Sequence, residues 1–436
     1  MYLPQAWSPI QKVSFRFTFI FFLLFILPFP FSTILGFFNE FTLAQAFSDF
    51  WTWCAEQVAT SLLGMEGLPD GSPGSGDRTE NWIQYGLFLL LAIVGTLVWS
   101  LADRNRKNYY RLWRVFVMVV VYYLVYFMAI YGFIKVFYLQ MPELRIDRLL
   151  RTYGQSSPMG LLWTFMGASK TYSVYAGLSE VIAGTLLIFR RTRTLGGLVT
   201  FGVMFNVFML NMAYDVPVKL FSAQLMLMGL YIALIDYKAI LGVFIWQKPQ
   251  AVTPWPPFFK SAQKQLGLLI VQVLFIGYIY YERIEAGISG RSQYGELRPK
   301  SALYGLYDVI TFVKNGDTIP PLLTDDERWQ RMIFESPQNT MVMYMDDRTR
   351  FYSSAIDTTT QTITISIGAD SLRKDYPLRY EKLNDGLQIR GVLEQDSLFL
   401  QLKTYDLSRF YLTNRGFNWV NEVPWHRYDP TPKSNW

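Results

Sequence analysis

Long apolar runs constrain this chain more than anything else in its sequence. Roughly 20 consecutive apolar residues of helix are needed to cross a hydrocarbon core. The sequence supplies such runs at about 15–37, 83–102, 115–138, 172–190, 195–213, 219–239 and 264–281. Composition agrees, with 51% hydrophobic and only 17% charged residues, against about a quarter charged in soluble chains. A purely cytosolic protein is excluded. The first run is too long and too aromatic for a cleaved signal peptide, and no small-residue cleavage site precedes Asn39.

The charges that remain set an orientation, because Lys and Arg favour the cytoplasmic side of a span. The connection from Leu101 to Arg114 and the turn Arg190-Arg-Thr-Arg193 are basic, whereas the connection after the first run holds Glu40, Asp49, Glu56, Glu66, Asp70, Asp77 and Glu80. Seven crossings with the N-terminus cytoplasmic then put the tail outside. The net charge of +6 belongs to these topology signals, so no nucleic-acid partner is expected. The lone Cys54 and lone His426 exclude an intrachain disulfide scaffold, a Cys-rich metal centre and a haem held by histidines in the spans.

Between the first two runs, residues 41–63 place aromatics at helical spacing and read as an amphipathic helix. A Gly/Pro/Ser loop, Gly67–Gly76, follows. Pro28 and Pro30 break the first run, and Pro254, Pro256 and Pro257 separate the last two. From Gly305 the period changes to two. Ile363, Ile365 and Ile367 alternate with polar residues, as do Leu398, Leu400 and Leu402, while Asn315-Gly and Asn384-Asp-Gly386 mark tight turns. About eight strands with no crossover helix make an antiparallel meander, closed into a barrel to remove its edges; an open sandwich is the alternative. Gly305-Leu-Tyr307, with Trp329 later, resembles the lipocalin-type strand opening. The domains are thus 1–114, 115–240, 241–299 and an all-β tail at 300–428. The closing stretch Asn414–Arg427 is expected to plug or flank the barrel with its aromatics.

Charged residues inside spans cost about 2.5–3.5 kcal/mol each at a helix centre on the insertion scale. Lys135 near the end of the third run and Glu180 inside the fourth are therefore expected to pair. Asn206, Asn211, Asp215 and Lys219 complete a polar cluster. It either fixes helix packing or floors a pocket that opens outward and holds a small amphiphile. The Gly/Pro-rich stretch 153–167 is placed over that pocket. No catalytic motif and no metal-ligand set stands out.

The third to sixth runs resemble the DoxX family of bacterial membrane proteins, a four-helix unit, through Gly132, Lys135, Glu180, Gly184-Thr-Leu-Leu, Arg190 to Gly196, Asn206 and Asp215-Val-Pro-Val-Lys219. The ending Arg415 to Pro424 is similar to that of larger DoxX-like proteins with an extracytoplasmic tail. The resemblance implies a bacterial inner membrane, a periplasmic tail, and quinone as the cofactor to look for. Two functions follow. One is a binding or assembly protein, with the bilayer and a membrane or periplasmic protein as partners. The other is a quinone-linked oxidoreductase subunit in which Lys135, Glu180 and Asp215 handle protons. A transporter is disfavoured, since no internal repeat is evident.

Overall fold

The computed structural model describes residues 6–29, 43–69, 76–248, 256–368 and 372–421. Pro30, Pro254, most of the Gly67–Gly76 loop and the stretch from Val423 through His426 lie outside the described residues. The chain divides into a helical unit (1–142 and 156–297) and a second unit made of residues 143–155 and 298–436.

The helical unit contains α1 (Pro9–Ile26), α2 (Leu43–Ser61), α3 (Thr79–Ala102), α4 (Tyr110–Val136), α5 (Pro158–Gly167), α6 (Lys170–Ile188), α7 (Arg193–Ala213), α8 (Lys219–Leu234) and α9 (Ala262–Gln293). Helices α1, α3, α4, α6, α7 and α9 are each long and apolar enough to cross a membrane, which is compatible with a multi-pass membrane protein. The sixth run departs from expectation. Instead of one straight span over 219–239, α8 stops at Leu234 and the chain resumes as Tyr237–Trp246 at a 76° bend. Asp236 lies at that break, accepting a hydrogen bond from the Thr194 hydroxyl at 2.5 Å. Helix α9 continues a dozen residues past the apolar run because its far end packs on α4: a Cβ on Gly287 would overlap the Phe137 ring.

Buried polar groups tie the helices together. Arg16 of α1 donates to Tyr109 Oη (2.6 Å), Ser100 Oγ (2.8 Å) and the Asp103 carbonyl (3.0 Å), and Tyr109 in turn donates to the Asp103 carboxylate. This joins α1, the end of α3 and the start of α4 inside a layer of edge-to-face rings that includes Phe15, Phe116 and Trp99. Elsewhere contact is backbone to backbone. A Cβ on Gly177 of α6 would stand 2.5 Å from the Gly132 carbonyl oxygen of α4, so the two helices cross at a separation only glycine permits.

The second unit is a closed antiparallel barrel of eight strands: β1 (Gly305–Lys314), β2 (Trp329–Ser336), β3 (Asn339–Tyr344), β4 (Thr349–Asp357), β5 (Thr362–Ile367), β6 (Lys374–Leu383), β7 (Gly386–Leu393) and β8 (Asp396–Thr404). Each strand pairs with the next, and β1 pairs with β8 to close the ring. The two tight turns fall where expected. Asn315 (φ 53°) and Gly316 (φ 90°) turn β1 back onto a two-residue strand, Asp317–Thr318. Asn384 and Asp385 join β6 to β7 with Leu383 opposite Gly386. The interior is filled: Met332, Phe334, Val342, Ile363, Ile365 and Ile389 are inaccessible to solvent. These side chains make a packed core in an up-and-down barrel.

The barrel's outer wall carries a strap, residues 143–155, from the connection between α4 and α5. Its Ile146 is buried against Leu306, Ile333 and Met341, which are neighbours across β1, β2 and β3. Arg145 and Arg298 both pair with the buried Glu335, at 3.1 and 2.8 Å. The closing segment is described only as far as Asn421. Tyr405, Leu407 and Phe410, which precede it, join this outer cluster, whereas Phe417, Trp419 and Val420, among its described residues, are exposed.

Candidate functional site

Two helical hairpins with unequal contacts create the site. At the α6–α7 turn the helices touch, and a Cβ on Gly196 would lie 2.7 Å from the Leu187 amide. Beside it Gly197 holds α7 against α8 at Gly229, and further along α6 is held against α4 by Gly177 and Gly132. Each helix therefore follows its own partner, and α6 and α7 part. The space between them is a cavity of about 340 Å³.

Lys135 of α4 and Glu180 of α6 form its floor. The Lys135 ammonium donates to both Glu180 carboxylate oxygens, at 2.8 and 2.9 Å, and to the Tyr131 carbonyl at 3.3 Å. Both side chains are buried. An ammonium has three protons, so all three are committed. Lys135 and Glu180 are the charged residues in the lining, and they neutralise one another.

The rest of the lining is mixed. Leu162, Trp163 and Met166 come from α5, which lies over the cavity as the Gly/Pro-rich stretch was expected to. Ser157 accepts from the Gly160 amide at the start of α5, and Tyr138 donates to the Gly167 carbonyl at 2.5 Å at its end. Met204, Val207 and Leu225 supply further apolar wall. Polar groups punctuate it: the Gln140 side-chain oxygen is buried without a partner, and Tyr131 and Ser179 also face the space.

Four of the six polar residues singled out in the sequence line this cavity: Lys135, Glu180, Asn206 and Asn211. Asn211 is buried and donates to Ser222 Oγ at 3.0 Å and the Val218 carbonyl at 3.4 Å, while Asn206 is exposed at the gap between α6 and α7. Asp215 and Lys219 stand apart from it. They pair with each other at 2.9 Å, with the Asp215 side chain 82% exposed. Asp77, from the loop before α3, accepts from the Lys219 and Leu220 amides at 2.5 and 3.0 Å, satisfying the free N–H groups at the start of α8. Sequence reading missed Asp77, Tyr131 and Gln140. An aspartate after a Gly/Ser/Pro loop is able to cap a helix, but nothing local names which one. Among the described residues, no group of three or more His, Cys, Asp or Glu could hold a metal ion.

No family model matches the chain, and no solved structure matches it. Among curated proteins it is similar to the uncharacterized protein YwoB of Bacillus subtilis (strain 168), at 32% identity over 84 residues. That stretch covers 19% of this chain and 54% of the relative, so the chain spans about half the length of the curated relative it matches.

Proposed function

We propose that the chain is an integral inner-membrane binding or assembly protein that holds a small amphiphile above the Lys135–Glu180 pair and presents a periplasmic β-barrel. The observation that carries this is the cavity itself. Its volume of about 340 Å³ falls in the range of small-molecule sites, and its apolar walls with a few convergent polar groups are their usual lining. A clasp serving packing alone needs no such space beside it.

The strap supports the topology. Residues 143–155 and the barrel form one compact unit, so both lie on one side of the membrane, and an even number of crossings must separate them. Helix α5, ten residues long, is too short to cross. That leaves α6, α7, α9 and the bent pair Lys219–Leu234 with Tyr237–Trp246. Parity favours a crossing for the bent pair, and hence seven spans with the N-terminus opposite the barrel. Basic connections at 101–114 and 190–193 then favour a cytoplasmic N-terminus. The DoxX-like reading is supported by the meeting of Gly132, Lys135 and Glu180, residues that carried the resemblance, at one helix crossing.

The test is mass spectrometry of the protein purified in mild detergent, beside the double variant Lys135→Met/Glu180→Leu. A co-purifying amphiphile is expected with the wild type and should be lost from the double variant while its thermal stability stays near wild type. A stable double variant that keeps the same amphiphile would sink the reading.

A further inference from the structure

The cavity is closed where an outward mouth was expected. Met141, Leu162, Met166 and Val216, at the end from which residues 140–157 leave the bundle, are buried and pack on one another. Its exposed lining runs down the flank between two helices, from Tyr172 in the first turn of α6 to Tyr175, with Gly202 and Asn206 on α7. These four residues frame a gap between two spans. The surface on either side of it is apolar, with Leu178 and Ile182 on one helix and Phe205 and Met209 on the other, all exposed. Exposed aliphatic and aromatic surface on a spanning helix faces lipid tails. The gap therefore faces the bilayer.

The chemistry of the floor restricts what can enter. The ammonium of Lys135 has no proton left to offer, and no other cation lines the space. A phosphate or carboxylate head would be buried beside the Glu180 carboxylate and the unpartnered Gln140 oxygen with no countercharge, and unpaired buried charge is prohibitively costly. A neutral head carrying hydroxyl donors meets the opposite situation. Each Glu180 oxygen accepts one hydrogen bond and has capacity for another, the Gln140 oxygen is unpartnered, and the Asn206 amide sits at the entrance.

We infer that the cavity takes an uncharged, hydroxyl-bearing single- or double-chain amphiphile directly from the bilayer, through the gap between α6 and α7, with its tail left trailing between those helices into the lipid. This rests on the reading of the cavity as a ligand site and adds the route and the class of head.

Gly202 provides a clean lever. Gly202 is exposed and a Cβ there meets nothing within 4 Å, so a side chain can be added at the gap from a position that makes no close helix contact. Full-length protein in lipid nanodiscs would be photolabelled with a diazirine diacylglycerol or, separately, a diazirine phosphatidic acid of the same chains, and the labelled peptides mapped. The diacylglycerol probe should label residues 172–180 and 202–211, and unlabelled diacylglycerol should compete. Gly202→Phe should cut that labelling about ten-fold or more, the factor given by ~1.4 kcal/mol, with melting temperature unchanged, whereas Gly202→Ala should not. Equal or stronger competable labelling by phosphatidic acid would overturn the neutral-head assignment. Undiminished labelling in Gly202→Phe would overturn the route and leave the cavity reading intact. If neither probe labels these helices and no amphiphile co-purifies, the cavity reading itself falls, and this inference with it.

Discussion

The barrel and the helical bundle solve the same problem, a buried interior, in opposite ways. In the barrel, strand alternation delivers Met332, Phe334, Val342, Ile363, Ile365 and Ile389 to one inside, and they fill it. Its buried cation, Arg328, is met by the carbonyls of Ile319, Trp329, Val309 and Ile310. In the bundle, glycines draw particular helix pairs into backbone contact and leave α6 and α7 apart. One of its buried cations, Lys135, is met by a carboxylate beside open space. A meander closed strand by strand spreads its packing evenly. A bundle held at a few glycine crossings concentrates contact there and leaves room between. The cavity beside Lys135 and Glu180 accordingly falls in the bundle.

The largest effect expected from this contrast is at the ion pair. Lys135→Met or Glu180→Leu alone strands a buried charge and should cost about 3–5 kcal/mol, while the double variant should be nearly neutral. Thermal unfolding in detergent reads all three. Single variants as stable as wild type would mean the floor is wet, and the contrast with the dry barrel would disappear.

Ile365→Ala, at a fully buried barrel position, should cost about 2–5 kcal/mol through lost burial and an unfilled hole. Hydrogen exchange should show residues 305–404 loosening while α4 and α6 keep their protection. Equal loosening of both would show that the interiors are one cooperative system.

The smallest effect is electrostatic and confined to the barrel. Hydrogen bonds from Asn315, then Lys314, hold the Asp396 carboxyl below the ordinary aspartate range, and those from Ser366, then Arg373, do the same for Asp375. A depressed carboxyl contributes stability above its unfolded pKa and loses it as pH falls through the folded value. These groups are at the surface, where solvent screens them. Barrel protection should thus slip modestly as pH drops below the aspartate range, and Asp396→Asn should flatten part of that slope. A steep loss above that range would point to a buried group instead.

Much of this was legible in the sequence because it is periodic or costly. Period two at Ile363, Ile365 and Ile367 located β5 and its inward face, and the Asn-Gly and Asn-Asp-Gly turns fixed two hairpins. Lys135 and Glu180 stood out because charge in an apolar run demands a partner, and they pair. Features that depend on distant packing left no local trace. The strap looks like an ordinary loop until Ile146 meets Leu306, Ile333 and Met341. The remote cap at Asp77 is 142 residues from the amide it receives. The bend after Leu234 was hidden because hydropathy continues through it, and the far end of α9 because polar residues there still pack on α4. Asp215 and Lys219 stand apart from the cavity for a simpler reason: Asp215, in the turn before α8, pairs with Lys219 at the start of that helix.

The strap also sets an order of events during synthesis. Residue 155 precedes the end of β8, Thr404, by a stretch that takes about 12–50 s to make at 5–20 residues per second. Until β1, β2 and β3 exist, Ile146 and Leu150 have no wall to cover them, and Arg145 has no Glu335. Synthesised early, the strap waits for its barrel. Any stall in elongation prolongs that wait, so the α4–α5 connection keeps Ile146 uncovered for as long as the first three strands are missing.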